Sequence, residues 1–221
     1  MSTQHKRKYE TSKLEFGALE EATKEQLAEF FRLAYENRVI TLANLFLRLV
    51  DKYGEGVWDV IRAQQYENGL RKAEFYDKRM KASGDDQFLP DPRVIRKELR
   101  IVAGVIGIAH HFNEVMEGDP ATGKFKLSYE IDKCPYESNW RKMGLPSDIR
   151  QKLCRCLGWA SDMAANDFFG TWLYEDQGLP KQKPTCLFIM YGPKTKEEHE
   201  AWGNSLPLEL KKYYHPWPWC K

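Results

Sequence analysis

The chain has 221 residues, and its 34 lysines and arginines nearly balance its 32 aspartates and glutamates, for a formal net charge of +2. The charges are interspersed instead of forming a concentrated basic face, which excludes nucleic acid as an expected partner. No apolar run approaches the roughly 20 residues that span a bilayer, and nothing near the start resembles a signal peptide. We therefore expect a cytoplasmic protein without membrane contact.

The even composition predicts a single folded domain at 21–221, preceded by a flexible arm at 1–20. Within this domain, 21–118 is expected to be mainly helical, 119–192 to form a cysteine-containing strand, helix and hairpin, and 193–221 to be an aromatic tail. The predicted fold class is α+β, with long N-terminal helices packed on a small antiparallel sheet formed mainly by the C-terminal half. A homo-oligomer remains open.

Two helices are predicted in the first part of the chain. Thr23 and Gln26 form a capping-box pattern, and apolar residues spaced by three and four extend the first helix to about Lys52. A second helix begins at Val57 and reaches the turn at 83–86, although Gly69 weakens its middle.

The elements that follow alternate between the two periods. Residues 94–116 are predicted as a third helix, with a strand as the alternative, and alternation over 125–132 predicts a strand. A helix is expected to begin at Pro146 and to end near Gly170, followed by strands at 171–176 and 185–191.

Three cysteines occupy positions from which they could converge. Cys134 follows a predicted strand, Cys154 lies on a predicted helix, and Cys186 begins another strand. Packing that helix across the strands would bring the thiols together. They then serve as a nucleophile, with Cys134 or Cys154 as the attacking group, as a zinc site formed by all three, or as small buried apolar groups.

Other candidate site residues surround these cysteines in the sequence. His110 and His111 are the natural general acids and bases, and Glu137 is positioned to contact a substrate. Aromatic residues make up 13% of the chain, which suits a cleft for a small organic ligand. The aromatic residues predicted to line this cleft are Trp140, Trp159 and Trp172. No phosphate loop, nucleophile elbow or dinucleotide fingerprint is present, which excludes kinases, serine hydrolases and dehydrogenases.

The second half resembles a known enzyme family. The residues that carry the resemblance are Cys134-Pro135-Tyr136, Met143-Gly144-Leu145-Pro146, Leu153-Cys154 and Cys186-Leu187-Phe188. Over roughly 120–192 this pattern is similar to the L-2-amino-thiazoline-4-carboxylic acid hydrolase family, itself similar to 4-vinyl-reductase-type ligand-binding domains. The resemblance implies helices on an antiparallel sheet and hydrolytic opening of a cyclic carbon–nitrogen bond. Arg155 stands where members carry an acidic residue, and 182–185 lacks their Gly-Asp pair.

These observations favour a hydrolase that opens a carbon–nitrogen bond in a small heterocyclic or cyclic carbonyl compound. Cys134 or Cys154 would attack the ring carbon, and His110 or His111 would transfer the proton. The expected cofactor is none or a zinc ion. The alternative is a non-enzymatic small-ligand sensor with structural or zinc-binding cysteines, and a subunit that only scaffolds an assembly ranks third.

Overall fold

The computed structural model describes residues 23–84, 111–119, 124–176 and 186–214. The predicted arm at 1–20 and the end of the aromatic tail lie outside these residues. The helices are α1 (Lys24–Tyr53), α2 (Val57–Ser83), α3 (Pro135–Lys142), α4 (Ser147–Cys154), α5 (Ala160–Phe168) and α6 (Lys196–Ser205). The strands are β1 (His111–Asp119), β2 (Lys124–Lys133), β3 (Trp172–Asp176) and β4 (Cys186–Gly192). The predicted α+β class, with N-terminal helices, is confirmed.

Helix α1 begins at the predicted capping box. The Gln26 backbone N–H donates to Thr23 Oγ1 at 3.2 Å, and the Thr23 backbone N–H donates to Gln26 Oε1 at 2.8 Å. Helix α2 ends at Gly84, whose φ of 74° is the left-handed conformation that favours glycine. Both helices therefore have the ends that their local sequence predicts.

The four strands form one antiparallel sheet in the order β1-β2-β4-β3. On one face, Leu127 pairs across the strands with Met190, and both side chains are buried. On the other face, Trp172 pairs with Tyr191, and both remain partly exposed. The strictly antiparallel pairing confirms the sheet expected from the alternating apolar pattern.

The predicted third helix at 94–116 is wrong for its described part, 111–116, which belongs to β1. Residues 94–110 lie outside the described part of the chain. The reason is pairing: Met116 lies opposite Leu127 and packs against the buried residues beneath the sheet. His111 and Glu114 are therefore strand residues, so the helix face predicted for His110 and Glu114 does not include Glu114.

Helices α4 and α5 form one continuous helix that is interrupted by a π-helical turn at Arg155–Trp159. The buried stripe predicted for this helix is confirmed, with buried side chains at Leu153, Leu157, Ala160, Ala164 and Phe168. The π turn adds a residue to the helical repeat, which rotates the side chains that follow it.

The buried side chains form two clusters. The sheet-side cluster joins α2 and α5 to the sheet and includes Leu70, Met80, Leu127, Phe168 and Met190. The helical cluster joins α1, the start of α2, α3, α4 and the π turn. Its members are Val39, Ala43, Phe46, Trp58, Ile61, Trp140, Leu153, Cys156 and Leu157. Helix α2 and the continuous helix take part in both clusters, so they link the N-terminal helices to the sheet.

Helix α2 approaches α5 most closely at Gly69. A Cβ atom at this position would lie 2.4 Å from the Ser161 carbonyl oxygen and 2.8 Å from the Ala164 Cβ atom. The glycine that weakens the predicted helix is therefore the residue that lets the two helices pack.

A buried polar network ties the C-terminal region to the helices. Tyr66 on α2 donates its hydroxyl hydrogen to Asp167 Oδ2 at 2.6 Å, and the Trp202 indole N–H on α6 donates to the Tyr66 oxygen at 2.8 Å. Lys194 is only 4% exposed, and its Nζ donates to Asp167 Oδ1. Asp167 thus joins α2, the segment after β4 and α6.

No helix among the described residues is both long enough and apolar enough to cross a membrane.

Candidate functional site

Two tyrosines meet where α1 packs against α3. Tyr35 lies in the first half of α1, and Tyr136 lies in the first turn of α3. Their ring centroids are 5.5 Å apart with an interplanar angle of 80°, an edge-to-face contact. The Tyr35 hydroxyl donates a hydrogen bond to the Tyr136 hydroxyl. The pair places two polar atoms within a largely apolar helical interface.

The electrostatics of this pair identify its neighbours. Burial raises the pKa of Tyr35 and of Tyr136. Negative charge on Cys134 or on Asp162 raises both pKa values further, so this thiol and this carboxyl lie within electrostatic reach of the hydroxyls. At Tyr136, the Tyr35 hydrogen bond and Arg38 act in the opposite direction. We refer to Tyr35, Cys134, Tyr136 and Asp162 as the tyrosine–aspartate cluster.

Asp162 lies near the start of α5, on the segment that follows the π turn. Burial raises the pKa of its carboxyl above the usual 3.8, and the positive charge of Lys72 on α2 only partly opposes this effect. Within the described part of the chain, no group donates a hydrogen bond to the carboxyl, although the Asp162 backbone carbonyl accepts one from Asn166 Nδ2 at 2.8 Å. Asp162 is therefore a desolvated acid whose side chain the described protein leaves unsatisfied.

The cluster borders a cleft. Tyr35, Tyr136 and Asp162 each keep part of their surface accessible to a water-sized sphere, although burial governs the pKa of all three. A side chain that is deeply surrounded by protein and still has accessible surface lines a narrow cleft or a cavity. This combination distinguishes the cluster from a closed structural core.

Trp159 adds a buried hydrogen-bond donor on the same helix. It ends the π turn, three residues before Asp162, and residues at this spacing occupy neighbouring positions on one helix face. Its indole nitrogen is buried, and no hydrogen-bond partner for it exists among the described residues. A π turn within an α-helix is often found at a functional site. Trp159 was one of the residues that the sequence predicted to line the cleft.

The structure places two of the predicted thiols in different surroundings. Cys134 is the residue before α3 and belongs to the tyrosine–aspartate cluster. Cys154 ends α4 and packs against the helical cluster, while Cys186 begins β4, where only its backbone is described. Helix α4 packs against α3 and the π turn. Convergence of all three thiols stays a prediction.

No group of three or more histidine, cysteine, aspartate or glutamate side chains among residues 23–84, 111–119, 124–176 and 186–214 is arranged to hold a metal ion. The predicted zinc site at Cys134, Cys154 and Cys186 gains no support from these residues and stays a prediction. Cys156, which the sequence did not single out as a ligand, is buried, and its Sγ donates to the Trp58 carbonyl oxygen at 3.6 Å. Burial raises the pKa of this thiol.

Other predicted site residues have structural contacts. Glu137 forms ion pairs with Arg141 at 2.9 Å and with Arg150 at 3.1 Å, which join α3 to α4. Trp140 is 1% exposed and belongs to the helical cluster, whereas Trp172 is 37% exposed on the outer face of the sheet. Their predicted roles in substrate binding stay predictions.

The predicted histidines fall at the edge of the described chain. His110 lies outside it, and only the backbone of His111 is described, so their role as general acids or bases stays a prediction.

Tyr35 and Asp162 are the two members of the cluster that the sequence analysis did not identify. One signal was available for Asp162. It is an acid among the small and apolar residues of a helix whose stripe is buried, and such an acid is rarely neutral in its effect on packing. Tyr35 carried no comparable signal, because it becomes part of the site only through the contact of α1 with α3.

Comparisons with known proteins give limited information. No protein-family model matches the chain, and no curated protein matches it. Membership in the thiazoline-carboxylate hydrolase family therefore stays a prediction. Among solved structures, the chain is similar to the phenol-responsive sensory domain of the transcription activator PoxR, which was solved with phenol. The two are 15% identical, the match covers 80% of this chain and 82% of that one, and the TM-score is 0.45. The function of this chain is accordingly argued from its own residues.

Proposed function

We propose that this protein binds a small organic molecule in the cleft bordered by the tyrosine–aspartate cluster. The observation that carries the proposal is Asp162, a desolvated carboxyl that no described group satisfies and that keeps accessible surface. Leaving a buried polar group unpaired destabilises a fold, so such a group at a cleft is a candidate for ligand binding. The aromatic rings of Tyr35 and Tyr136 supply the apolar wall that a small organic ligand needs.

Thiol protection tests this proposal. Indole, used as a neutral aromatic probe, is expected to slow alkylation of Cys134 by iodoacetamide at least about threefold, because a ligand beside the tyrosines covers the thiol. Alkylation is followed for each cysteine by peptide mass spectrometry. Cys154 packs in the helical cluster and serves as the internal control, with an unchanged rate.

Equal protection of Cys134 and Cys154 would indicate a general stabilisation of the fold instead of occupancy of the cleft. If neither rate changes while saturating indole is present, the cleft does not bind this class of molecule and the proposal is wrong.

Hydrolysis of a cyclic carbon–nitrogen bond is the second candidate function. It is favoured by one observation, that Cys134 and Asp162 both act on the same tyrosine pair. In such a reaction the Cys134 thiolate would attack the ring carbon, and a protonated Asp162 would supply the proton that the departing nitrogen requires. Water would then release the product from sulfur and restore the thiol. His110 and His111 remain the alternative proton donors.

A substitution separates binding from turnover. For the hydrolase, Cys134→Ala is expected to lower turnover of L-2-amino-thiazoline-4-carboxylate at least about 1000-fold while indole still binds. Cys156→Ala, a change at a thiol that donates to the Trp58 carbonyl, is the matched control and should retain turnover. Wild-type protein that binds indole and shows no turnover supports the binding function alone.

A further inference from the structure

The surroundings of Asp162 restrict the kind of ligand that can reach it. Lys72 on α2 is the cation that acts on the carboxyl, and its effect is smaller than that of burial. The other titratable or charged groups that face the cluster are Tyr35 and Arg38 on α1 and Cys134 and Tyr136 beside α3. The site thus contains an acid that favours its protonated form, with tyrosine hydroxyls that also stay protonated.

Protonation gives Asp162 two adjacent hydrogen-bonding atoms of opposite kind. A carboxylic acid has one O–H donor and one C=O acceptor on the same carbon, whereas a carboxylate only accepts. The complementary ligand edge has an acceptor and an N–H donor on neighbouring positions. Amides, lactams, cyclic amidines and amino-substituted nitrogen heterocycles present such an edge, and they form two parallel hydrogen bonds with an acid.

We propose that Asp162, as a carboxylic acid, recognises the N–C=O or N–C=N edge of a flat, neutral ligand. The proposal rests on the proposed binding function and specifies its ligand class. The carboxyl lacks a hydrogen-bond partner among the described residues, so the ligand satisfies a group that the protein leaves unpaired. Trp159, one helical turn earlier, offers its unpartnered indole N–H to a further acceptor on the same ligand.

Charged ligands fit this site less well. An organic carboxylate presents two acceptors and no donor, and its negative charge would lie in the surroundings that already disfavour a charged Asp162. An ammonium ligand would lie near Lys72 and Arg38, two positive charges that act on the cluster. The pairing of a neutral acid with a neutral amide-type edge avoids both costs.

The test compares three probes that share a benzene ring: benzamide, toluene and benzoate. Their dissociation constants for the full chain are measured by ligand-observed NMR from mildly acidic to mildly alkaline pH. Benzamide is expected to bind at least about tenfold more tightly than toluene or benzoate under acidic conditions. Its affinity should fall as the pH rises through the pKa of Asp162, because ionisation removes the O–H donor.

Two variants separate recognition from packing. Asp162→Asn keeps a donor and an acceptor in the same shape, so it should bind benzamide with no dependence on pH in this range. Asp162→Ala removes the edge and should bind benzamide and toluene with similar affinity. Urea unfolding confirms that each variant is folded. Because the pKa of Asp162 is raised in the folded protein, wild-type stability should fall relative to that of Asp162→Asn as the pH rises above 3.8.

The outcomes distinguish this proposal from the proposed function. If toluene binds as tightly as benzamide, or if Asp162→Ala keeps the preference for benzamide, recognition by Asp162 is wrong and the binding cleft stands. If none of the three probes binds at millimolar concentration, both proposals are overturned. Tighter binding of benzoate than of benzamide would also overturn the inference, because it would require a positively charged site.

Discussion

Replacing Asp167 by alanine is expected to lower the free energy of unfolding by about 3–5 kcal/mol. The carboxylate accepts hydrogen bonds from Lys194 and from Tyr66, and Lys194 is 4% exposed. Removing the carboxylate leaves the Lys194 ammonium buried without its counter-ion, and it also leaves the Tyr66 hydroxyl without its acceptor. Urea unfolding followed by tryptophan fluorescence measures the loss. The contacts of α6 should weaken with it, since Trp202 donates to Tyr66.

The design includes a double variant and an exposed control pair. Asp167→Ala combined with Lys194→Met removes both charges, so its loss should be smaller than that of Asp167→Ala alone. Lys196 and Glu200 form an exposed ion pair at 3.7 Å, and Glu200→Ala should change stability by less than about 0.5 kcal/mol. A loss at Asp167 no larger than that at Glu200 would mean that the buried network does not stabilise the fold.

Elements with strong local signals could be predicted from the sequence. The capping box at Thr23 and Gln26 defines the start of α1 because both partners of the cap lie within one turn. The strand at 124–133 follows from strict alternation, since every second side chain must enter the core. These features depend on neighbours in the sequence and therefore appear without any knowledge of the fold.

Residues 111–116 show where local reasoning fails. Apolar spacing in the preceding segment extends the predicted helix to Met116, but this residue pairs with Leu127 in a hairpin. The strand is stabilised by a partner strand and by the helices beneath it, and neither is encoded in the segment itself. The same limit applies to the π turn at Arg155–Trp159, which changes the helical repeat without an obvious sequence marker.

The candidate site could be predicted only in part for a related reason. Cys134 and Trp159 carry chemical groups that attract attention in any sequence. Tyr35 and Asp162 become functional candidates only when α1 packs against α3 and when burial changes the ionisation of the acid. Their separation along the chain exceeds 100 residues, as the residue numbers show. A pattern of spacing therefore cannot reveal that they share one cleft, whereas their common effect on two pKa values does.

Gly69→Ala is expected to destabilise the protein by about 2–3 kcal/mol, although alanine is the better helix former. The new methyl group would lie 2.4 Å from the Ser161 carbonyl oxygen, a backbone atom that cannot move without shifting α5. Such a shift would also displace Asp162, the residue after Ser161, so indole binding should weaken together with stability. Chemical unfolding and the indole protection of Cys134 measure the two effects on the same sample.

Gly158→Ala is the matched control, because a Cβ atom at this position in the π turn meets no atom within 4 Å. This variant should be as stable as the wild type or more stable by up to about 1 kcal/mol, since alanine loses less backbone freedom on folding. Destabilisation of both variants by similar amounts would show that the helices tolerate no substitution of either glycine, and the close approach at Gly69 would then lose its special role. Opposite signs for the two variants would instead establish that the contact between α2 and α5 fixes the position of the candidate site.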